Sequence, residues 1–375
     1  MELLKPYRIV LTGGGSGGHV MPLVAVAESL RKKIDTQLDF LYIGSKGKIE
    51  QDAMDEAGIP VKFILTGKMR RYFSLYNFVD IFKIPLGCIQ ALWHLLWYMP
   101  DVIFSKGGHV AVPVVLAAWV YRIPIMTQDS DAVPGMATRI LGKFADRVAV
   151  AYPSAMNYFP KNSVALIGNP VRSLIVGGDA DTARGLFGLR ADKPVVLVLG
   201  GSLGARIIDK AITAILPKLL TQTQVIHQTG EAHYEETVAL AAEGGIVDTE
   251  SGYIPKAFLQ IEELRQALAL ADIVVSRAGA NAIAEIAAVG KPAILIPLAS
   301  AANNEQRMNA YEIARVGGAI VLEDGNLGES ILLAKIQALI ADTQLRSTMA
   351  QSIQVFYHPD AADIIADELI RLMQK

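Results

Sequence analysis

The sequence has little cysteine and almost no excess of charge, and each shortage excludes a class of protein. Cys88 is the single cysteine among 375 residues, so no disulfide can form within the chain and a reducing compartment is expected. Lys and Arg number 35 against 37 Asp and Glu, a formal net charge of −2. Because nucleic-acid-binding proteins carry a basic surface, we expect no nucleic acid partner.

Long hydrophobic runs and the common ligand motifs are also missing. The most apolar stretch, residues 86–99, lies between Pro85 and Pro100 and contains Gln90 and His94. A membrane span requires roughly 20 apolar residues, so this stretch is too short. The six histidines are scattered, neither the zinc-binding H-E-x-x-H nor a G-x-x-x-x-G-K-[ST] phosphate loop occurs, and we expect no metal site.

What the chain does contain is a regular alternation of short β-branched runs and longer helical patterns. Apolar residues make up 52% of the composition, enough for large cores, and the length favours two domains. Strands separated by helices imply parallel sheets with right-handed crossovers, hence an α/β fold. We predict strands at 8–12, 40–44, 102–105, 125–127, 147–151, 195–199, 225–228, 273–276, 293–297 and 319–322.

The same local order occurs twice, about half a chain apart. "LTGGGSGGHVMP" at 11–22 and "PVVLVLGGSLGARIIDKAI" at 194–212 both run from a strand through a glycine-rich loop into a helix. We therefore predict two similar doubly wound, Rossmann-like domains facing across a cleft. The "IGNPVR" stretch, 167–172, is the expected linker, with domains at 1–168 and 169–356 and a last helix near 357–375 that packs back on the first domain.

Gly13, Gly15 and Gly18 have the G-x-G-x-x-G spacing of dinucleotide-binding proteins. That function also requires an acidic residue at the end of the second strand to hold the ribose. The second predicted strand ends in "IGSK", 43–46, without a carboxylate. An NAD-dependent enzyme is therefore the least favoured alternative, and we expect no cofactor.

His19 stands at the junction of this loop with the following helix. In open α/β folds such a position at the carboxyl end of a strand faces the ligand. The positive end of the helix favours the neutral imidazole, which can accept a proton. His19 is therefore a candidate general base; the alternative is a histidine that only hydrogen-bonds the backbone at the helix start.

A second cluster is "SRAGANAIAEIAAVGKPAILIP", residues 276–297. It predicts a strand end, a short loop and a helix whose first amides can bind a diphosphate without a metal. Glu285 lies in the second turn and can accept hydrogen bonds from two ribose hydroxyls. It can also be an ordinary solvated residue, but Ala284 and Ile286 flank it, and a carboxylate in an apolar run usually has a partner.

Together with further motifs, these stretches resemble the MurG family of bacterial peptidoglycan glycosyltransferases. The ordered matches are "GGGSGGHVMP", "FSKGGHVAVP" at 104–113, "GNPVR" at 168–172, "GGSLGAR" at 200–206, "HQTG" at 227–230, "SRAGANAIAEIAAVGKPAILIP" and "NNEQRMNA" at 303–310. The resemblance implies a GT-B fold and an inverting transfer of N-acetylglucosamine from UDP-N-acetylglucosamine to the muramyl 4-hydroxyl of lipid I, a polyprenyl-diphosphate-linked muramyl peptide. It also implies a peripheral enzyme on the cytoplasmic face of the cell membrane.

The resemblance assigns roles to matching positions. His19 would take the proton from the muramyl hydroxyl. On the donor side, Glu285 would bind the ribose, Ile261 would pack near the uracil and Gln306 would contact the sugar. The remaining donor-side positions are Arg172, Ser202 and the amides of Ala280, Asn281 and Ala282. The implied acceptor and diphosphate loops contain Ser16, Gly17, Gly18, Gly107, Gly108, His109 and Asp131.

Three departures from the family pattern stand out. Residues 128–131 are "QDSD" where the family usually has His-Glu followed by two polar residues, Ala282 replaces a frequent threonine, and Glu305 stands where glutamine or histidine is common. These differences concern mainly the acceptor side. A same-fold transferase with another acceptor, or a UDP-sugar-binding protein that has lost catalysis, therefore remain alternatives.

A lipid-linked acceptor requires a membrane-binding face, which we predict on the first domain. Four aromatic residues supply its apolar part: Tyr72, Phe73, Phe78 and Phe82. Nearby cations, Lys68, Arg70, Arg71 and Lys83, would meet anionic headgroups. For the aromatic residues in 93–98, inward packing is at least as well supported as membrane contact.

Overall fold

The structure is a computed structural model that describes residues 6–14, 17–34, 37–67, 75–201, 204–247, 251–301 and 304–374. The chain divides into two units. Unit 1 comprises Met1–Arg172 and His358–Lys375, and unit 2 comprises Ser173–Tyr357.

Unit 1 contains a parallel sheet of seven strands. The strands are β1 (Tyr7–Thr12), β2 (Leu38–Gly44), β3 (Val61–Phe63), β4 (Val102–Ser105), β5 (Ile125–Asp129), β6 (Arg147–Val150) and β7 (Val164–Leu166). Their order is β3-β2-β1-β4-β5-β6-β7. All residues of β4 and β5 are buried, which explains their apolar character.

Helices connect consecutive strands of this sheet, and long parallel crossovers require such connections. They are α1 (Gly17–Lys33), α2 (Lys48–Glu56), α3 (Leu75–Tyr98), α4 (Gly108–Val120) and α5 (Met136–Leu141). Helix α3 packs against α4 through its buried side, which includes Ala91 and Leu95.

Unit 2 repeats the arrangement with six parallel strands. The strands are β8 (Val195–Leu199), β9 (Gln224–Gln228), β10 (Tyr253–Lys256), β11 (Ile273–Arg277), β12 (Ala293–Ile296) and β13 (Ala319–Val321), in the order β10-β9-β8-β11-β12-β13. Its helices are α6 (Ala180–Phe187), α7 (Arg206–Leu219), α8 (Tyr234–Glu243), α9 (Ile261–Leu270), α10 (Ala280–Val289), α11 (Glu305–Arg315), α12 (Glu329–Ala341) and α13 (Thr343–Ile353).

The last helix, α14 (Ala361–Met373), belongs to unit 1. It packs against α1, and Ile365 and Leu369 are fully buried in the same core as β1 and β2. Two ion pairs support this contact, Lys33 with Asp367 at 2.7 Å and Arg147 with Glu368 at 2.8 Å. Unit 1 therefore consists of two separate segments of the chain.

The strand order places the glycine loops. In each sheet the order reverses beside its first strand, so β1 lies between β2 and β4, and β8 lies between β9 and β11. Ligands of doubly wound sheets bind at the carboxyl edge where this reversal occurs. In unit 1 this point holds the loops after β1 and β4, and in unit 2 the loops after β8 and β11.

Candidate active site

The first two residues of the first glycine loop, Gly13 and Gly14, pack closely within unit 1. Gly13 and Gly14 have φ angles of 152° and 154°, which favour glycine. A Cβ on Gly13 would lie 2.8 Å from the Lys106 Cβ, and one on Gly14 would lie 3.0 Å from the Tyr42 hydroxyl oxygen. Packing against neighbouring side chains thus explains both glycines without a ligand.

A buried phenol supports the other side of this loop, and a buried carboxylate acts on that phenol. The Tyr42 hydroxyl, on β2, donates a hydrogen bond to the Gly13 carbonyl. Burial raises the pKa of Tyr42 well above its usual value, and the charge of Glu50 raises it further. Tyr42 therefore stays protonated and remains a donor. Glu50 itself is only 6% exposed in the first turn of α2.

The structure places the predicted base at the start of a helix. Gly17, Gly18 and His19 form the beginning of α1, directly after the loop. The side-chain position of His19 and all of Ser16 lie outside the described residues. The role of His19 therefore stays a prediction.

The second glycine loop joins β4 to α4 beside the first one. Gly107 and Gly108 have φ angles of 76° and 79°. A Cβ on Gly107 would lie 2.2 Å from the Thr138 hydroxyl oxygen, so this glycine is also required by packing. His109 follows as the second residue of α4 and is half-buried.

Directly before the second glycine loop lies a lysine with a buried ammonium group, Lys106, to which the sequence motifs assigned no role. Lys106 is 3% exposed, and its Nζ donates to Gln128 Oε1, to Ser130 Oγ and to Asn169 Oδ1, the last at 3.3 Å. Burial lowers the pKa of Lys106 to about 8, partly offset by the charges of Asp129 and Asp131. The sequence signals available were its place directly after a predicted strand and within the "FSKGGHVAVP" match.

The loop after β5 is organised by its own carboxylate. Asp129 Oδ1 accepts a hydrogen bond from the Asp131 N–H at 3.0 Å, and Oδ2 accepts one from the Gly135 N–H at 3.2 Å. Asp131, a predicted acceptor-side residue, is half-buried in this loop. The "QDSD" stretch thus spans the end of β5 and the start of a turn that Asp129 organises.

In unit 2, the glycine loop after β8 approaches the end of β9. A Cβ on Gly204 would lie 2.3 Å from the Thr229 carbonyl oxygen, and Gly204 has a φ of 77°. Gly201 has a φ of 83°, and a Cβ there would meet no atom within 4 Å, so space lies beside it. Ser202 lies outside the described residues, and its donor role stays a prediction.

The start of α10 has the features of an anion site. Its N-cap residue, Gly279, supplies no side-chain cap, and a Cβ at Gly279 would meet nothing within 4 Å. The amides of Ala280, Asn281 and Ala282 belong to the first turn and lie at the positive end of the helix. Such an end binds phosphate groups.

Glu285 lies one turn further along α10 and is half-buried. Its neighbours Ala284 and Ile286 are buried. A carboxylate in this position can accept hydrogen bonds from a ligand whose diphosphate is held at the helix start. The geometry is therefore compatible with the predicted ribose contact, which stays a prediction.

Three further donor-side predictions fall on element ends. Gln306, in the first turn of α11, accepts a hydrogen bond from the Leu298 N–H through Oε1 at 3.1 Å. Ile261 is the first residue of α9 and is half-buried. Arg172 is half-buried at the end of the first segment of unit 1. By internal contacts Arg172 thus groups with unit 1, whereas the sequence-based division assigned it to the donor domain.

The exposed face of α3 is unusually apolar. The outward residues Ile89, Trp93 and Trp97 are 62%, 59% and 69% exposed, and the two indole rings contact each other edge to face at 5.6 Å. Their spacing places them on one side of the helix. The end of α4 adds exposed Trp119, whose ring contacts Phe144 at 5.4 Å.

The predicted membrane residues lie on or just before the same helix. Tyr72 and Phe73 are outside the described residues, and Phe78 and Phe82 belong to α3 without described side chains. In the part of the chain that the structure describes, no helix is long and apolar enough to cross a bilayer. Within those same residues, no group of three or more His, Cys, Asp or Glu side chains is arranged to hold a metal.

Both halves of the chain match domain models of one enzyme family. Residues 9–150 match the glycosyltransferase family 28 N-terminal domain, and residues 195–365 match the family 28 C-terminal domain. The expected fold class, two doubly wound parallel sheets of the GT-B type, is confirmed by these matches and by both sheets.

Individual relatives are similar along nearly their whole length. A Clostridium perfringens (strain SM101 / Type A) protein named UDP-N-acetylglucosamine--N-acetylmuramyl-(pentapeptide) pyrophosphoryl-undecaprenol N-acetylglucosamine transferase is 38% identical over 337 residues, 90% of this chain and 91% of its own. A Bacillus cereus (strain ATCC 10987 / NRS 248) protein with the same name, numbered 2, is 36% identical over 342 residues, 91% of this chain and 94% of its own.

Solved structures agree with this similarity. Acinetobacter baumannii MurG superposes with a TM-score of 0.75 at 26% identity and covers 98% of this chain and 100% of that chain. A UDP-GlcNAc 2-epimerase from Neisseria meningitidis, solved with UDP-GlcNAc, has a TM-score of 0.68 at 12% identity and covers 98% of this chain and 100% of that one. The second likeness shows the shared fold alone.

Proposed function

The chain belongs to glycosyltransferase family 28, and from this we propose that it transfers N-acetylglucosamine from UDP-N-acetylglucosamine to lipid I, giving lipid II for peptidoglycan synthesis. The relatives whose names state this reaction match about nine-tenths of the chain. The observation that carries the proposal is the start of α10, where the N-cap Gly279 leaves open space and Glu285 lies one turn further along the helix.

The donor half of the reaction uses unit 2. The first-turn amides of α10 hold the diphosphate of the donor, and Glu285 accepts hydrogen bonds from the ribose hydroxyls. Ile261 packs near the uracil and Gln306 contacts the sugar. Negative charge grows on the diphosphate as the bond from the sugar C1 to its oxygen breaks, and the helix end stabilises this charge.

The acceptor half uses unit 1. The muramyl 4-hydroxyl oxygen attacks C1 from the face opposite the leaving UDP, which inverts the configuration there. His19 accepts the hydroxyl proton as the new C–O bond forms. The loops that carry Gly107, His109 and Asp131 lie at the same sheet edge and line the acceptor side.

The direct test is transfer of labelled N-acetylglucosamine from its UDP conjugate to lipid I in detergent. We expect UDP and a labelled disaccharide lipid in equal amounts. Binding of the donor without transfer would instead identify a UDP-sugar-binding protein. Transfer only to other lipid or small-molecule acceptors would identify a related transferase.

Donor binding is expected to be independent of divalent metal. Because backbone amides of α10 rather than a cation hold the diphosphate, calorimetric titration of UDP-N-acetylglucosamine should give the same Kd with and without EDTA. Loss of binding in EDTA, restored by Mg²⁺, would contradict this assignment.

We also propose that unit 1 binds the cytoplasmic face of the cell membrane as a peripheral protein. The exposed indoles of α3 and Trp119 supply apolar and interfacial surface. Three exposed cations, Lys62, Arg122 and Lys143, each stand next to an aromatic residue in the sequence. Phe63 and Tyr121 are exposed, and Phe144 contacts the Trp119 ring. Anionic headgroups would attract the three cations.

The membrane face can be mapped with two triple variants in vesicle co-sedimentation. Ile89→Ser/Trp93→Ser/Trp97→Ser should weaken binding to anionic vesicles about tenfold or more, because three exposed apolar side chains lose their insertion energy. A second variant, Phe73→Ser/Phe78→Ser/Phe82→Ser, removes three of the aromatic residues that the sequence predicts in the membrane-binding face and so tests that segment.

Wild-type binding should rise with anionic lipid and fall with salt. A matched control, Val238→Ser/Val247→Ser/Val355→Ser, removes exposed apolar residues of unit 2 and should bind as the wild type does. If both unit 1 variants are folded, as thermal unfolding can show, and both bind as the wild type does, the membrane-binding face lies on another part of the surface.

A further inference from the structure

Lys106 has no part in the mechanism above, although its backbone lies next to Gly13 and directly before Gly107. Its backbone N–H donates to the Thr12 carbonyl at 2.8 Å, which joins the end of β4 to the end of β1. Its side chain then extends into the protein, and the whole residue is 3% exposed. A ligand cannot reach this ammonium without rearrangement of its surroundings.

Every N–H donor of the Lys106 ammonium has an acceptor. An ammonium has three donors, and the structure supplies three oxygen acceptors on Gln128, Ser130 and Asn169. Ser130 Oγ in turn donates to Asn169 Oδ1, and Gln128 Nε2 donates to the Gly168 carbonyl at 3.4 Å. Three chain segments, at 106, 128–130 and 168–169, therefore meet at one charge.

This charge is costly to keep. Burial of an ionised group disfavours folding unless it is paired and hydrogen-bonded. An apolar residue of similar length would fill the same space without this cost. The retained ammonium therefore calls for a role beyond filling space, and the segments that it connects indicate which one.

We infer that Lys106 is a positioning residue that holds the 128–135 loop, with Asp131, in a defined arrangement beside the two glycine loops. The inference rests on the proposed function, in which these loops receive the lipid-linked acceptor. The unusual "QDSD" stretch fits this role, since Gln128 and Ser130 supply two of the three acceptors. Gln128, which stands where the family usually has histidine, is thus one of the residues that bind Lys106.

The test compares Lys106→Met, which keeps the length and removes all three donors, with Lys161→Met, which replaces an exposed lysine of the same unit. For Lys106→Met we expect kcat/KM for lipid I to fall about 30- to 100-fold, on the scale of a buried charged hydrogen-bond network. The Kd for UDP-N-acetylglucosamine should change far less, by about threefold at most, since the donor residues on α9, α10 and α11 are in unit 2 and only Arg172 lies in a segment that Lys106 holds. Lys161→Met should match the wild type.

A second readout is independent of activity. Amide hydrogen exchange of peptides covering 128–135 and 168–172 should be faster in Lys106→Met than in the wild type, while peptides of α10 are unchanged. If Lys106→Met does not fold, Ser130→Ala removes a single acceptor, and faster exchange in the same two peptides is expected.

The pH dependence tests whether the charge matters. Asp129 and Asp131 are the charged groups that act on the ammonium. As the pH rises through about 8, the amine becomes neutral and keeps two hydrogens for three acceptors. The ratio of wild-type to Lys106→Met activity should therefore decrease across this range.

Two results would overturn the inference: acceptor kinetics of Lys106→Met within threefold of the wild type, or unchanged exchange in both peptides. If the wild type transfers no sugar, the proposed function fails, and the exchange comparison alone decides whether Lys106 holds the two segments. The two failures are thus distinguishable.

Discussion

Replacing His19 by alanine should lower kcat by about 10²–10⁴-fold, the usual contribution of a general base. The muramyl hydroxyl is a weak nucleophile until its proton is removed, and His19 lies in the first turn of the helix that follows the first glycine loop. Affinity for UDP-N-acetylglucosamine should be unchanged, because the first turn of α10 and Glu285 belong to unit 2. Steady-state kinetics with lipid I and calorimetry with the donor measure the two quantities.

A second variant separates proton transfer from hydrogen bonding at this position. His19→Gln keeps a side chain that hydrogen-bonds but cannot act as a base near neutral pH. Both variants should be equally slow if His19 is the base. A glutamine variant with near wild-type turnover would reject that role, and loss of thermal stability in the alanine variant alone would indicate a structural histidine.

Replacing Glu285 by alanine should raise the Kd for UDP-N-acetylglucosamine about 10- to 100-fold. Hydrogen bonds to a charged acceptor contribute roughly 1.5–3 kcal/mol, and about 1.4 kcal/mol corresponds to a tenfold change. Affinity for UDP should fall by the same factor, since the lost contact is to the ribose. Calorimetric titration of both ligands measures the effect.

Two further variants define the cause. Glu285→Gln keeps an acceptor without the charge, so its loss of affinity should be smaller. Glu243→Ala removes an exposed glutamate at the end of α8 in the same unit and should bind normally. Unchanged affinity in Glu285→Ala would contradict the ribose assignment. If the variant lost affinity equally for UDP and for uracil-containing ligands without ribose, the effect of the substitution would be structural.

The interior strands were predictable from sequence because burial on both faces imposes continuous apolar runs. Strands β4 and β8 match the predicted limits, and the others differ by one or two residues at an end. Strands β3, β7 and β10 are absent from the sequence-based prediction, and all three lie at sheet edges. Edge strands are short and half-exposed, and β10 contains Pro255, so they lack that pattern.

Local patterns were also sufficient for the glycine loops and the start of α10, since both depend on residues adjacent in the chain. Local patterns did not show why glycine is required at these positions. Gly13, Gly14 and Gly107 are explained by contacts with Lys106, Tyr42 and Thr138, which approach from other strands or helices. Only the packing shows these neighbours.

The sequence was therefore enough to establish the alternation of strands and helices, the repeated loop design and the family. The folded structure was needed to join Lys106 to Gln128, Ser130 and Asn169, which lie more than twenty residues away along the chain. It was also needed to show that the indoles of α3 point outward, whereas inward packing was at least as well supported from sequence. The periodicity of apolar residues indicates whether a segment is buried. The partner of a buried charge, and the side of an apolar helix that is covered, depend instead on which distant segments of the chain pack there.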